Sequence, residues 1–421
     1  MTAPASAGTP LRPVLLALAL GAAALSVGGC AGIPRPAFTA AEQAQASPVG
    51  FGRVRYVEDD PDLARLMGLA LKPDPAAQDG GQVDALALSG GGANGAYGAG
   101  VIYGWTAAGQ RPRFQVVTGV STGALAAPFA FLGPAWDEPL RRTYFGDPIH
   151  HLMQRRGLMG LLGDGFYRKS PLEALVRGYV TDDLLAAVAA EQARGRRLLV
   201  ATTNLDTEQL IVWDMGAIAA QGGPKARELF AEVLIASASV PGVFPPTLIP
   251  VRSGARRFSE MHVDGQTESP FFAITQRLLF AAPDAGGPRV KPRLFIIVNG
   301  PRESRFLVTP RATIPILSRT LDAAGKASIR SALAETLEFC RVNGCDVRVS
   351  DLPPGETDST LDFRAAHVEH LFAAGQDAIR GGRAWTTAAP LAPGTPEAAP
   401  KREPDAKAGS ERRSPAASAL P

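Results

Sequence analysis

The sequence predicts an α/β fold in which a largely parallel central sheet is covered by helices on both faces. Two observations indicate this: apolar strand-like runs alternate with helical stretches, and two of these runs end in glycine-rich turns. Apolar strands interleaved with helices are typical of parallel sheets whose two faces are both buried. The predicted strands lie at 83–88, 114–120, 198–203, 210–213 and 294–298.

Residues 1–29 are predicted to be an export signal. Arg12 is their only charge, and an apolar run at 14–25, too short to span a bilayer, leads to small residues before Cys30. The end of this segment resembles a bacterial lipobox, which implies cleavage before Cys30 and a diacylglycerol on its sulfur; the alternative is an ordinary cleavage site. Lipidation would make this an exported, membrane-anchored protein of the cell envelope. Ala31 in place of Asp implies the outer membrane if the source is a Gram-negative bacterium.

The compact domain is predicted to span residues 82–385, which is large for one domain but within the range of α/β folds. Residues 30–81 show little periodicity and are predicted to be a tether with some local order, including a short helix at about 61–71. Residues 386–421 are rich in Ala and Pro, with almost no large apolar side chains, and are predicted to be a disordered tail.

Composition limits the partners. The net charge of +3 is small for 421 residues, so nothing supports nucleic-acid binding. Besides Cys30, the chain has Cys340 and Cys345, which could form a disulfide after export or remain reduced. His367 and His370 alone are too sparse for a metal site, and no metal or cofactor is predicted.

The turn Gly119–Gly123 carries the first chemical motif. It reads Gly-Val-Ser-Thr-Gly between a β-branched run and a small-residue helix, as in a nucleophile elbow, where a sharp strand-to-helix turn lifts a serine above the sheet edge. Such a pentapeptide is expected by composition roughly once in every few chains, and the plain alternative is a tight turn. The context favours catalysis: Ser121 is the predicted nucleophile, framed by Gly119 and Gly123.

A glycine-rich turn upstream is the second motif. Its Gly-x-Gly-x-x-Gly spacing is also found in dinucleotide-binding folds, but the next strand ends without the carboxylate that a ribose needs. A P-loop is excluded because no Gly-Lys-Ser/Thr follows. Backbone N–H groups at a helix N-terminus remain, and in acyl transfer they would bind the tetrahedral oxyanion. The predicted oxyanion-hole residues are Gly90, Gly91, Gly92, Ala93, Asn94 and Gly95.

A serine nucleophile needs a base, and the residues alone leave two alternatives. His367 or His370 follows the serine in the chain order of an α/β-hydrolase, although both lie in an amphipathic helix where a solvated histidine is the simpler interpretation. Asp264 precedes Gly265, which would allow a tight turn and aim the carboxylate, although a lone Asp-Gly is usually just a turn.

At these positions the chain resembles the patatin-like phospholipases, bacterial lipid acyl hydrolases. Three blocks match in order: Gly90–Gly95 as the oxyanion turn, Gly119–Gly123 as the elbow, and Asp264 with Gly265 as the Asp-Gly motif. The stretch 236–246 is similar to the family's Ala-Ser-x-x-x-Pro-x-x-Phe-Pro segment.

The resemblance implies a patatin-like three-layer fold and a Ser–Asp dyad, with Ser121 as nucleophile and Asp264 as base. Two positions depart from the family pattern: Asn94 stands where Arg or Lys is common, and Gln266 where Gly or Ala is common. Losing the cation weakens the expectation of a phospholipid relative to other acyl esters.

The resulting prediction is a serine acyl hydrolase of lipid esters, with a lipid or phospholipid substrate and attachment to a membrane through lipidated Cys30. The alternative is a non-catalytic lipid-binding or scaffolding lipoprotein that keeps the fold. The stretch 151–167, apolar with flanking cations, is a candidate lid or interfacial segment, with ordinary loop packing as the alternative.

Overall fold

The computed structural model describes residues 35–70, 82–146, 149, 151–157, 164–272, 292–356 and 359–387. Ten strands form one sheet in the order β1-β7-β8-β5-β4-β3-β9-β10, and β6 pairs with both β5 and β2. The strands are β1 (Ser47–Pro48), β2 (Arg55–Val57), β3 (Asp84–Leu88), β4 (Val116–Val120), β5 (Arg197–Asn204), β6 (Gln209–Asp214), β7 (Thr247–Ser253), β8 (Arg256–Asp264), β9 (Arg293–Val298) and β10 (Asp346–Asp351).

The centre of the sheet is parallel, as predicted. Strands β5, β4, β3, β9 and β10 run in the same direction, whereas β6, β8, β7, β1 and β2 extend the sheet through antiparallel pairs. All five predicted strands are present, with ends within two residues of their expected positions. The sheet is therefore mixed: four of the predicted runs form parallel strands, the run at 210–213 forms the antiparallel β6, and the parallel β10 was not predicted.

Helices cover both faces of the sheet. They are α1 (Ala40–Ala44), α2 (Pro61–Ala70), α3 (Gly95–Ala107), α4 (Thr122–Leu132), α5 (Asp137–Phe145), α6 (Ser170–Tyr179), α7 (Asp182–Ala193), α8 (Met215–Gln221), α9 (Gly223–Ser237), α10 (Thr313–Asn343) and α11 (Ala365–Arg380). Side chains alternate along β3: Leu86 and Leu88 face one apolar core, and Ala85 and Ala87 face the other. The first core also contains residues of α3, α4, α9 and α11, and the second contains residues of α2 and α10, which gives the predicted three layers.

The segment before residue 71 is more ordered than a tether. Its strand β1 pairs with β7 and its strand β2 pairs with β6, while Leu63 and Met67 of α2 are fully buried in the second core. The helix expected near 61–71 is present at Pro61–Ala70. Within the described residues the fold therefore begins at about residue 35, before the predicted boundary at residue 82, because pairing with distant strands orders a segment that has no pattern of its own.

Other predicted features fall partly outside the described residues. Cys340 and Cys345 form a disulfide at the C-terminal end of α10, which resolves the alternative that the sequence left open. Cys30, the proposed signal, the start of the tether and residues 388–421 of the predicted tail lie outside the described ranges. None of the described helices is long and apolar enough to cross a membrane.

Candidate active site

The two carboxyl ends of β4 and β8 meet on the same side of β5. Strand β4 is parallel to β5 and ends with Val120 opposite Ala201, whereas β8 is antiparallel and ends with Asp264 opposite Thr202. Because Ala201 and Thr202 are consecutive, the residues at the two strand ends become neighbours. Ser121 follows Val120 directly, so the sheet register brings it to Asp264 across 143 positions of sequence.

Ser121 lies in a strained turn between β4 and α4. Its backbone has φ 55° and ψ −127°, and it is one of two described non-glycine residues with positive φ. Such a conformation costs on the order of 1–3 kcal/mol and persists only where the surrounding structure imposes it. A side chain at Gly123 would place its Cβ 2.4 Å from the carbonyl oxygen of Leu88, so the helix can approach the neighbouring strand only without one. The elbow geometry predicted for 119–123 is thus present.

Ser121 Oγ donates a hydrogen bond of 2.5 Å to Asp264 Oδ2. Ser121 is 3% exposed and Asp264 is 1% exposed, so the pair is almost out of contact with water. Burial raises the pKa of Asp264 to about 7, although the hydrogen bonds from Ser121 and the Gln266 backbone favour the charged form. A carboxylate with such a pKa, bonded to a serine hydroxyl, has the geometry and the basicity of a proton acceptor near neutral pH.

Every polar group of Asp264 has a partner. Its Oδ1 accepts from the Gln266 backbone at 2.8 Å, its own N–H donates to the Ser239 carbonyl at 2.9 Å, and its carbonyl accepts from Thr203 Oγ1 at 3.0 Å. Two hydrogen bonds, from Ser121 and Gln266, therefore orient the carboxylate, and two more hold its backbone.

The glycine-rich turn lies beside the serine. A Cβ at Gly90 would lie 3.0 Å from the Ser121 Cβ and 2.1 Å from Gln266 Oε1, so turn, serine and Asp-Gly motif are in contact. Gly92 has φ +58° and comes so close to the Thr360 carbonyl that a Cβ would lie 2.1 Å from its oxygen. The turn is thus held between the serine on one side and the 359–364 segment on the other.

The N–H groups of this turn differ in availability. Those of Gly90 and Ala93 donate to the carbonyls of Pro270 and Thr360, and that of Asn94 donates to Gly91. The N–H of Gly95 also bonds within the turn. Among described atoms, the N–H groups of Gly91 and Gly92 have no protein acceptor.

Asn94 is fully buried, and neither amide atom of its side chain has a hydrogen-bond partner among the described residues. An unpaired buried amide costs on the order of 1–3 kcal/mol. Asn94 stands at the position where the patatin-like phospholipases, which this sequence resembles, commonly have Arg or Lys. The sequence difference therefore places an unpaired, buried amide in the glycine-rich turn.

Three supporting residues were not identified from the sequence. Ser237 Oγ accepts the Ser121 backbone N–H at 3.0 Å and donates to the Ala201 carbonyl at 2.7 Å. Asn299 donates to the Ser89 carbonyl at 2.8 Å and packs against Gly91. Ser237 and Ser239 lie in the stretch 236–246, and the resemblance of that stretch to the family segment could have identified them. For Asn299, the only indication in the sequence was its position directly after a predicted strand.

No histidine among the described residues is hydrogen-bonded to Ser121. His370 Nε2 lies 2.5 Å from Glu356 Oε2 on the outside of α11, and its side chain is 58% exposed. Within the described ranges, Ser121 Oγ donates to Asp264 alone.

His262 belongs to a buried network under β8. Its Nδ1 contacts Thr202 Oγ1 at 2.9 Å and its Nε2 contacts Glu260 Oε2 at 3.2 Å. Burial lowers the pKa of His262, which favours the neutral ring. Arg55 of β2 forms two hydrogen bonds with Glu260, so the network ties the N-terminal segment to the strand that carries Asp264.

The described parts of the chain contain no group of three or more His, Cys, Asp or Glu residues arranged to hold a metal ion. The core of the proposed lid, 158–163, lies outside the described residues. Its described flanks form short bridges, between Arg155 and Tyr167 and between Gly165 and Gly242.

A family model described as patatin-like phospholipase matches residues 86–272, an interval that contains the glycine-rich turn, the elbow and Asp264. A search among curated proteins found no match to the sequence.

Three solved structures are similar in part. VipD from Legionella pneumophila is 12% identical over 76% of this chain and 73% of that one, with a TM-score of 0.31. The type III effector protein ExoU is 12% identical over 74% and 53%, with a TM-score of 0.32. Human GIVD cytosolic phospholipase A2 is 12% identical over 76% and 54%, with a TM-score of 0.32. This chain therefore spans about half the length of the last two.

Proposed function

We propose, from the premise that this chain belongs to the patatin-like phospholipase family through residues 86–272, that it is a serine hydrolase of lipid acyl esters. The family supports lipid acyl hydrolysis in general. The observation that carries the finer proposal is the 2.5 Å hydrogen bond between Ser121 Oγ and Asp264 Oδ2 in a buried site.

In the proposed mechanism, Ser121 Oγ attacks the ester carbonyl carbon while its proton moves to Asp264. The tetrahedral intermediate expels the alcohol, which takes the proton from Asp264, and leaves an acyl ester on Ser121. Water then attacks this ester, giving one proton to Asp264, and the released fatty acid leaves as Ser121 recovers that proton. Asp264 thus acts as base and acid in alternate steps, as general acid–base catalysis requires.

The proposed oxyanion hole uses the N–H groups of Gly91 and Gly92, which are the unengaged members of the predicted set. Donors that are already oriented stabilise the developing charge without reorganisation, and removing one such donor costs about 10²- to 10³-fold in rate in comparable sites. Gly90, Ala93, Asn94 and Gly95 would shape and support the turn, because their own N–H groups are used within the fold.

The substrate is proposed as an acyl ester, without commitment to a phosphate headgroup. Asn94 carries no charge, so it would provide a neutral amide where a cation would have favoured a phosphate.

A fluorophosphonate probe tests the nucleophile. We expect labelling of the wild-type protein and none of Ser121→Ala, because the probe reacts with an activated serine. Thr122→Ser, which keeps a hydroxyl beside Ser121, should still be labelled at Ser121 and serves as a control. Absence of labelling in well-folded wild-type protein would favour the non-catalytic lipid-binding alternative.

We also propose that the mature chain is exported and anchored to a membrane through acylated Cys30, as part of the cell envelope. The disulfide between Cys340 and Cys345 supports export, because such bonds persist in oxidising compartments. Each buried methylene contributes about 0.8 kcal/mol, so two or more chains hold a protein on a bilayer.

Cys30→Ala, expressed in the native host, tests the anchor. Wild-type protein should incorporate labelled palmitate and fractionate with membranes, whereas Cys30→Ala should do neither. Cys345→Ala is the matched control and should be acylated normally. Palmitate incorporation by Cys30→Ala would show that the lipobox interpretation is wrong.

A further inference from the structure

An apolar surface stands out on the segment 301–321, and the proposed reaction does not use it. Six large apolar side chains, here named the apolar patch, are exposed by 51 to 77%: Phe306, Leu307, Val308, Ile316, Leu317 and Leu321. Isolated exposed apolar residues are normal on protein surfaces, but a cluster of this size marks an interaction site.

The loop and the helix of this patch form one surface. The guanidinium of Arg319 on α10 donates to the carbonyl of Arg305, and that of Arg330 donates to the carbonyl of Arg302 at 2.8 Å. The loop 301–312 is therefore held along α10, and the three exposed residues of the loop belong with the three of the helix.

The first turns of α10 extend beyond the core. From Thr313 to Gly325 no described side chain is buried, and the first buried residue is Lys326. Further along, Ile329 and Leu333 pack into the second core. The helix thus has a packed portion and a projecting portion, and the projecting portion carries Ile316, Leu317 and Leu321 outward.

The segment that carries the patch is rich in arginine. Between residues 301 and 321 the chain has four arginines and a single acid, Glu303. Two of the arginines, Arg302 and Arg319, form ion pairs with Asp351 and Asp322 beyond this stretch. Apolar side chains among arginines are typical of surfaces that insert into the headgroup region of anionic lipid.

The segment that leads to the patch begins beside the candidate active site. Asn299, which bonds to Ser89 next to the glycine-rich turn, lies at the carboxyl end of β9. A Cβ added at Gly300 would lie 2.8 Å from Ile329 Cδ1 and 3.8 Å from the Gly90 carbonyl oxygen. Phe306 follows seven residues later, within a reach of at most ~25 Å. A lipid surface on this patch would therefore lie near the site that needs the lipid.

We propose that the apolar patch is the surface through which this protein enters an anionic lipid bilayer and draws substrate from it. This inference rests on the proposed function, since it supplies the lipid for that site. A second copy of the chain fits less well, because a two-fold contact would bring together two segments that each carry four arginines and one acid between residues 301 and 321.

Tryptophan quenching tests the insertion directly. Val308 is 77% exposed in the patch, and Val342 is 63% exposed near the far end of the same helix. Each tryptophan is introduced into Ser121→Ala protein, which is mixed with vesicles of phosphatidylglycerol and phosphatidylcholine that carry brominated acyl chains. We expect the bromines to quench strongly the fluorescence of the tryptophan introduced by Val308→Trp. Val342→Trp is the matched control and should be quenched much less.

Turnover provides the second measurement. Phe306→Ser combined with Leu317→Ser should lower hydrolysis of phosphatidylglycerol vesicles by at least about tenfold, because less apolar surface enters the bilayer. The same variant should hydrolyse a soluble p-nitrophenyl butyrate at the wild-type rate, as should Val342→Ser. Circular dichroism checks its folding, and Val308→Asp replaces it if the double variant does not fold.

The outcomes separate the two proposals. Equal quenching at both tryptophans, or equal loss on vesicles and on the soluble ester, would overturn the lipid surface. If the emission wavelength of Val308→Trp indicates a buried tryptophan in the absence of vesicles, and sedimentation velocity shows a dimer, the patch is a subunit interface instead. Quenching specific to Val308→Trp in a protein whose wild type hydrolyses nothing would support the lipid surface and overturn the proposed function.

Discussion

Replacing Asp264 by Asn is expected to lower kcat/KM for a p-nitrophenyl ester by about 10²- to 10⁴-fold, because an amide cannot take the proton of Ser121. The substitution keeps the shape of the side chain and an oxygen for the Gln266 N–H, so the site should stay folded. Ser121→Ala should lose at least as much. The double variant should lose little more than Ser121→Ala alone, because both groups act in one step. Steady-state kinetics with a folding check by circular dichroism measure this.

Asp214→Asn is the matched control. Asp214 is 1% exposed, burial likewise raises its pKa, and its carboxylate accepts from the Ala217 backbone at 2.8 Å at the start of α8. Asn is also a good N-cap, so this variant should keep its activity.

Full activity in Asp264→Asn, with loss in His367→Ala or His370→Ala, would instead indicate a Ser-His-Asp hydrolase.

The activity of the wild-type protein should depend on pH with a midpoint near 7. Burial raises the pKa of Asp264 to about 7, and only the deprotonated form can accept a proton. As the pH falls below this value the base is lost, so kcat/KM should drop by about tenfold per pH unit; above it, kcat/KM should level off. A pH–rate profile on a soluble ester measures this dependence.

Two other groups titrate in the same pH range, and their effects on the pH profile need to be distinguished from that of Asp264. Burial raises the pKa of Glu232 to about 7 and lowers that of Lys169 to about 8. Glu232→Gln and Lys169→Met should leave the midpoint unchanged, and the residual rate of Asp264→Asn should not show this step. A midpoint near the reference value of about 4 would contradict a buried, weakly ionised Asp264.

Four of the five parallel strands were predictable because their signal is local; β10, which mixes polar and apolar residues, was not predicted. Each of the runs that became β3, β4, β5 and β9 is apolar along its length, and burial on both faces produces that pattern whatever the neighbours are. The elbow was predictable for the same reason, since a strand, a Gly-x-Ser-x-Gly turn and a small-residue helix follow each other in the chain.

The edges of the sheet were less predictable. Strands β1 and β2 have two and three residues, which is too few to show an alternation of apolar and polar side chains. They are strands only because they form hydrogen bonds with β7 and β6. The segment expected to be a tether therefore became part of the fold through hydrogen bonds to residues more than 150 positions away.

The sequence by itself predicted the α/β class and the strand–turn–helix at Ser121, and its resemblance to the patatin-like phospholipases implied Asp264 as the partner of that serine. The tertiary structure decided what a linear pattern does not contain. The antiparallel register of β8 against β5 sets the 2.5 Å contact between those two side chains, and burial there raises the pKa of Asp264. The N–H groups of Gly90 and Ala93 bond to Pro270 and Thr360, whereas those of Gly91 and Gly92 have no acceptor among the described residues. The physical reason is that hydrogen-bond partners and desolvation depend on groups distant in sequence, whereas strand and turn signals depend on neighbours along the chain.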